Sequence, residues 1–178
     1  MVSEAEIIKR CREGEKHAQE LLYKRYASKM LGVCIRYFRS KEEAEDALQE
    51  GFIKVFVNIE KFRGEGSLNG WIRKIMINTA LNICKSELKH YFHSDINEIE
   101  EKFNFSKNNS DSYSVEDLLK LIQSLPTGYR LVFNLYEIEG YKHKEIAKML
   151  KISVSTSKSQ LLKARKLLQK KLELLNKI

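Results

Sequence analysis

The apolar residues of this 178-residue chain recur at helical spacing from one end to the other. No stretch sustains the alternation of a strand. The hairpin-type dipeptide Asn69-Gly70 precedes a helical pattern and does not divide two alternating runs. The period predicts helices over residues 3–13, 15–38, 41–60 and 69–88, and again over 114–124, 127–138, 142–150 and 155–175. The single proline, Pro126, suits the opening of one of these, and Gly140 suits the stop of another. The fold class expected is all-α.

The helical pattern breaks once. Residues 93–114 are rich in Ser and Asn (Ser94, Asn97, Asn104, Ser106, Asn108, Asn109, Ser110, Ser112, Ser114), with few apolar positions. The chain therefore divides into a helical domain over 1–90, an acidic flexible linker over 91–113 and a second helical domain over 114–178. The charge follows the same division. The total is +8, but residues 119–178 hold 13 basic and 4 acidic side chains, whereas 91–118 hold 2 basic and 7 acidic. A lysine-rich terminal segment is either a solvated helix face or a phosphate-binding surface.

Several function classes are excluded at this stage. Charged residues at 4, 6, 9, 10, 12 and 13 break any apolar leader, and the longest clean apolar run, 30–35, is far short of the ~18 residues of a membrane span. Cys11, Cys34 and Cys84 are odd in number and widely spaced, which argues against a disulfide framework and for a reducing cytoplasm. The four histidines are scattered, and Cys84, His90 and His93 lack the ligand spacing of a zinc site. No catalytic residue, metal, cofactor or small-molecule substrate is expected, and no direct membrane insertion.

The helix at 41–60 has two faces. Ala44, Ala47, Leu48, Gly51, Phe52, Val55, Phe56 and Ile59 share a broad core sector. The opposite sector holds Asp46, Gln49, Glu50, Ile53 and Val57. A stripe mixing acids with exposed apolar groups suits a docking face for a basic partner. Two stray apolar residues on a surface would also be ordinary.

Residues 62–70 form a glycine-rich loop, and Trp71 begins the next helix. On that helix Ile72, Ile75, Met76, Thr79 and Ile83 make a core stripe, while Trp71, Asn78 and Asn82 line another, flanked by Lys74 and Lys85. Rings stack on unpaired bases, amides read base edges and lysines hold phosphates, so this set suits single-stranded nucleic acid. A lone tryptophan is also a common core residue. The loop lacks the Gly-Lys-Ser/Thr ending of a nucleotide-cradling loop.

Residues 142–172 have helix-turn-helix spacing. A short amphipathic helix, Lys144 to Leu150, is followed by the turn Lys151-Ile152-Ser153-Val154, and Ser153 or Ser155 can cap the next helix. That helix buries Leu161, Ala164, Leu168 and Leu172 and presents Ser159, Leu162, Lys163, Lys166 and Lys170, with Lys158 and Gln160 at the margins. Basic groups on phosphates, Ser and Gln on base edges and an apolar tip for a thymine methyl make a recognition helix. Helix-turn-helix shapes also occur as plain packing motifs.

Three ordered motifs together resemble the extracytoplasmic-function (ECF) class of bacterial sigma-70-type RNA polymerase sigma factors. The first is Asp46-Ala47-Leu48-Gln49-Glu50-Gly51-Phe52, similar to that family's D-x-x-Q-E-x-F segment. The second runs from Phe62-Arg63-Gly64 through Trp71 to Asn82 and is similar to its promoter-melting segment. The third spans Leu125-Pro126, Arg130, Glu139-Gly140-Tyr141, Glu145-Ile146-Ala147 and Thr156 to Arg165, similar to its −35-binding domain. The resemblance implies that the chain binds core RNA polymerase, recognises −35 and −10 promoter elements and promotes DNA melting. It assigns Asp46, Gln49, Glu50 and Ile53 to the β′ clamp helices of core polymerase. Lys54, Phe62, Ser67, Leu68, Trp71 and Asn78 fall to the −10 element, and Thr156, Lys158, Ser159, Gln160, Leu162, Lys163 and Lys166 to the −35 element. It further implies contact with the polymerase β subunit, an anti-sigma factor as partner and a linker that threads toward the RNA exit path.

Some positions depart from the family pattern. Ser155 stands where glycine is common, Ser157 where valine is, Gln160 and Lys163 where arginines are frequent, and Leu68 where phenylalanine is. Arg and Lys differ in bidentate reading of guanine, so these changes bear on the promoter sequence. The rival reading is a helix-turn-helix transcriptional regulator whose first domain is an interaction unit. It leaves the two-faced helix and the loop before Trp71 without a task.

Overall fold

The computed structural model describes residues 2–91 and 114–176, with side chains over 2–86 and 114–174. The described residues are helical and contain no strand. Helix α1 spans Glu4–Arg12, α2 Lys16–Cys34, α3 Lys41–Val57, and a 3-10 turn Ile59–Lys61 leads through a loop into α4, Leu68–Tyr91. Then follow α5 (Val115–Gln123), α6 (Thr127–Phe133) prolonged by a π turn over Asn134–Ile138, α7 (His143–Leu150) and α8 (Val154–Asn176). Two compact units result, Met1–Ile83 and Cys84–Ile178, and the division falls inside α4. The expected linker over 91–113 lies outside the described residues, apart from Tyr91.

Local chemistry sets most helix starts. Ser3 accepts the Glu6 N–H. Ser40 and Glu43 form a reciprocal capping box before α3, and Ser114 and Asp117 do so before α5. Pro126 stands as the cap before α6, and Ser153 Oγ accepts the Thr156 N–H at 2.9 Å to open α8. Gly140, at φ +76°, turns the chain out of the π turn.

The first unit is built around α2 and α3. Leu22, Met30, Ala44, Ala47 and Val55 are fully buried, each large side chain contributing ~1.5–3 kcal/mol. Helix α2 ends at Cys34, four residues before the predicted end. Tyr37 and Phe38, 0% and 2% exposed, continue the apolar pattern as packed turn residues. Gly51 brings α3 against α4, since a Cβ there would lie 2.2 Å from Met76 Sδ. Helix α4 is buried more widely than one stripe, with Leu68, Ile77, Ala80 and Leu81 buried beside Ile72 and Met76.

In the second unit Leu121, Leu125, Leu131, Val132, Leu135, Ile146, Leu161 and Ala164 form the core. A buried charge organises it. Arg130, 2% exposed, donates from Nη1 to the carbonyls of Gln123 at 3.0 Å and Leu125 at 2.9 Å, satisfying backbone left open where α5 ends. Lys171 of α8 donates to Ser124 Oγ at 2.8 Å.

Candidate functional site

The capping box and the Gly51 contact fix which side of α3 faces outward. Asp46, Gln49 and Glu50 are exposed on it, together with Ile53 at 62% and Val57 at 75% exposure. The acidic–apolar stripe is therefore a surface. Beside Gln49 a shallow groove of about 200 Å³ runs between α2 and α3, lined by Tyr23, Ala27, Leu31 and Leu48. Tyr23 leans on Phe52 at a ring separation of 4.7 Å. Tyr23 lies at i, i+3, i+7 with buried Tyr26 and Met30, yet it is 38% exposed at the margin of the α2 core face. Glu50 is ion-paired with Lys54 at 2.5 Å, so the last turn of α3 carries a link from the acidic face to a basic one.

On that basic side an open groove of about 350 Å³ lies between the end of α3, the 3-10 turn and α4. Lys54, Asn58, Lys61, Trp71, Ile75, Asn78 and Asn82 line it, with buried Thr79 at its base. Of the predicted −10 set, Lys54, Trp71 and Asn78 converge here. Phe62 is only 8% exposed and packs behind Trp71, ring centroids 5.5 Å apart. Ser67 is exposed and caps α4, accepting the Gly70 N–H at 3.1 Å. Leu68 corrects the expectation: it is 1% exposed, so it anchors the loop from within and has no surface to offer DNA.

The sequence reading missed Asn58 and Lys61 and gave Ile75 to the core. Lys54, Asn58 and Lys61 follow each other at i, i+4 and i+7, a row that the helical period predicted over 41–60 already brings onto one side. Asn58 donates to the Lys54 carbonyl at 2.8 Å and accepts from Lys61 Nζ at 2.7 Å, which holds the Lys61 ammonium along the groove, while the Lys54 ammonium is held by Glu50. Thr79 Oγ1 has no protein hydrogen-bond partner among the described residues.

The third surface is α8. Lys158, Ser159, Leu162, Lys163 and Lys166 are exposed on one face, Leu162 by 54%. Thr156 and Gln160 are half-buried at its edge. Thr156 Oγ1 shares a hydrogen bond with Ser153 at 2.8 Å, and the Gln160 amide lies against Gly128, where a Cβ would be 3.2 Å from Nε2. Lys163 Nζ sits 6.0 Å from the Tyr129 ring centroid. The helix is fixed to its unit by the bond between buried Ser157 Oγ and half-buried His143 Nδ1, 2.9 Å apart, and by Arg165, which binds Glu137 at 2.7 Å. His143 stacks on Tyr136 at 4.5 Å. Burial, then Lys158 and Arg165, hold its pKa below the ordinary value of 6.5.

The remaining chemistry is sparse. Cys11, Cys34 and Cys84 are all buried. No cluster of three metal-ligating side chains occurs among the described residues, and His93 and the His90 side chain lie outside them. None of the described helices is long and apolar enough to cross a membrane.

The sequence matches two protein families by region: Sigma-70 region 2 over residues 22–89 and Sigma-70, region 4 over residues 116–168. It is 31% identical to the RNA polymerase sigma-H factor of Pseudomonas aeruginosa, over 94% of this chain and 93% of that one. It is 29% identical to the ECF RNA polymerase sigma-E factor of Haemophilus influenzae, over 94% of each. In fold it is similar to the sigma factor RpoE of Bartonella quintana, solved in complex with the anti-sigma factor NepR. The TM-score is 0.55 at 19% identity, covering 86% of this chain and 96% of that one.

Proposed function

Because the chain belongs to the ECF class of sigma-70-type RNA polymerase sigma factors, we propose a division of promoter recognition among its three surfaces. As a sigma factor it is a promoter-recognising initiation factor, and the phosphodiester chemistry is the polymerase's own. The acidic–apolar face of α3 docks core polymerase. Asp46, Gln49 and Glu50 supply charge and amides to the basic β′ clamp helices, while Ile53 and Val57 supply the apolar contact that distinguishes a docking face from a solvated one. The groove of Lys54, Trp71 and Asn78 captures the unpaired −10 strand by stacking, amide reading and phosphate neutralisation. The exposed face of α8 enters the major groove at −35. There Ser159 and Leu162 meet base edges, and Lys158, Lys163 and Lys166 meet phosphate.

The observation that carries this reading is the convergence of Lys54, Trp71 and Asn78 in one groove, one helical turn from the polymerase face. A ring, an amide and an ammonium group around an open cleft suit an extruded base and its phosphate. The rival regulator reading gives that groove no ligand. We also propose the domain limits 1–90, 91–113 and 114–178, action in the cytoplasm where the promoter is, and control by an anti-sigma factor, as the Bartonella RpoE complex illustrates for that protein.

The test is retention of promoter duplex by the purified chain with and without core polymerase. A sigma factor built this way retains promoter DNA well only with core polymerase. Equal sequence-specific retention by the chain alone would support the regulator reading.

A further inference from the structure

We propose that Arg12, at the end of α1, is a positioning residue for the −10 groove, acting through the backbone of Phe62. The inference rests on the groove reading above. Residues 63–67 are all exposed, and Gly64 and Gly66 adopt φ +78° and +105°, so little within this loop fixes its path. Its course is set at its two ends. At the far end Leu68 is buried and Ser67 caps α4. At the near end the Phe62 ring packs against Trp71, and the Phe62 carbonyl accepts a hydrogen bond from Arg12 Nη2 at 2.5 Å.

That bond spans fifty residues of sequence. It is charge-assisted and hence among the stronger kinds. The Phe62 N–H is held as well, donating to the Ile59 carbonyl at 3.2 Å. The Phe62 peptides are thereby fixed on both sides, and with them the ring that backs Trp71. Helix α1 is seated for this task. It packs on the 3-10 turn, with Ile7 and Cys11 each 3% exposed. It also precedes residue 22, where the match to Sigma-70 region 2 begins. Losing the guanidinium frees the Phe62 carbonyl to water and lets the Phe62–Trp71 pair shift. A displacement of about an ångström in a positioned group is enough to slow a reaction severalfold or more.

The experiment compares the wild-type chain with Arg12→Ala, Arg12→Lys and Trp71→Ala, each reconstituted with core polymerase. The template is a promoter fragment recovered by run-off transcription of sheared genomic DNA. Strand opening is read by permanganate reactivity. Trp71 is the chain's single tryptophan, so the emission of the free chain, read before reconstitution, reports the Phe62 contact directly. Arg12→Ala is expected to slow opening ~3–10-fold and shift the Trp71 emission, with core affinity unchanged and the thermal midpoint lowered by only a few degrees. Arg12→Lys, which keeps a charged donor, is expected to recover most of the rate. Opening at the wild-type rate in Arg12→Ala with unshifted emission overturns the proposal. So does a loss of opening that merely follows a loss of core affinity and is not rescued by Lys. If Trp71→Ala also opens normally, the groove reading itself is wrong. If Trp71→Ala is impaired and Arg12→Ala is not, only the role of Arg12 falls.

Discussion

Lys151 is the described non-glycine residue with positive φ, at +56°, in the turn between α7 and α8. A side chain there bears a left-handed penalty of ~1–2 kcal/mol that glycine avoids, against ~0.5–1 kcal/mol of extra chain entropy. Lys151→Gly is therefore expected to stabilise the second unit by about 0.5–1 kcal/mol, read as a raised denaturant midpoint. His143 gives a pH dependence. Its folded pKa lies below 6.5, the unfolded value, so between the two the unfolded chain binds the extra proton. The stability from neutral His143 is complete above pH 6.5 and is lost as pH falls through the folded pKa. Thermal midpoints at pH 7.5 and 5.5 should differ by less in His143→Gln than in the wild-type chain, and an unchanged difference would refute the assignment. The same site explains Ser157, unusual against the family pattern at a buried position: its hydroxyl is the partner of His143. Neither Ser157 nor Arg130 was legible as a buried polar residue, because their partners are brought up by tertiary packing and carry no local sequence signal.

Elements were legible where a single physical rule set them. Helix α3 has a clean 3.6-residue period and a capping box, so both its core side and its outward acids follow from spacing. The end of α2 was not legible, since Tyr37 and Phe38 keep the apolar rhythm in a buried turn and periodicity does not separate the two. The π turn at Asn134–Ile138 was likewise absorbed into one predicted helix. Helix α4 is buried on more than one side, so a one-stripe reading left out Ile77 and Leu81 and gave Ile75, which lines the groove, to the core. The outward side of α3 makes its own prediction. Asp46→Lys is the cleaner single change, because Glu50 is also paired with Lys54. With Glu50→Lys added, core-polymerase affinity should fall at least tenfold, as expected when like charges meet at an interface. Helical circular dichroism should be unaltered, and unchanged affinity would remove the docking role from this face.

For the whole molecule, the +8 total conceals a partition. The lysines of α8, the lysines of the −10 groove and the acids of α3 are different surfaces with different proposed ligands. What composition alone conveyed was an anionic partner. The order of the three motifs conveyed the family, and the structure added the groove. The claim on which the rest depends is that this groove holds the melted strand. The most direct test is the rate of permanganate-detected promoter opening by holoenzyme carrying Trp71→Ala with Asn78→Ala, measured beside core-polymerase affinity. Loss of a stacking ring worth ~1–3 kcal/mol per base predicts opening slowed by about tenfold or more with core affinity unchanged. Opening at the wild-type rate, or an equal loss of both quantities, would contradict it.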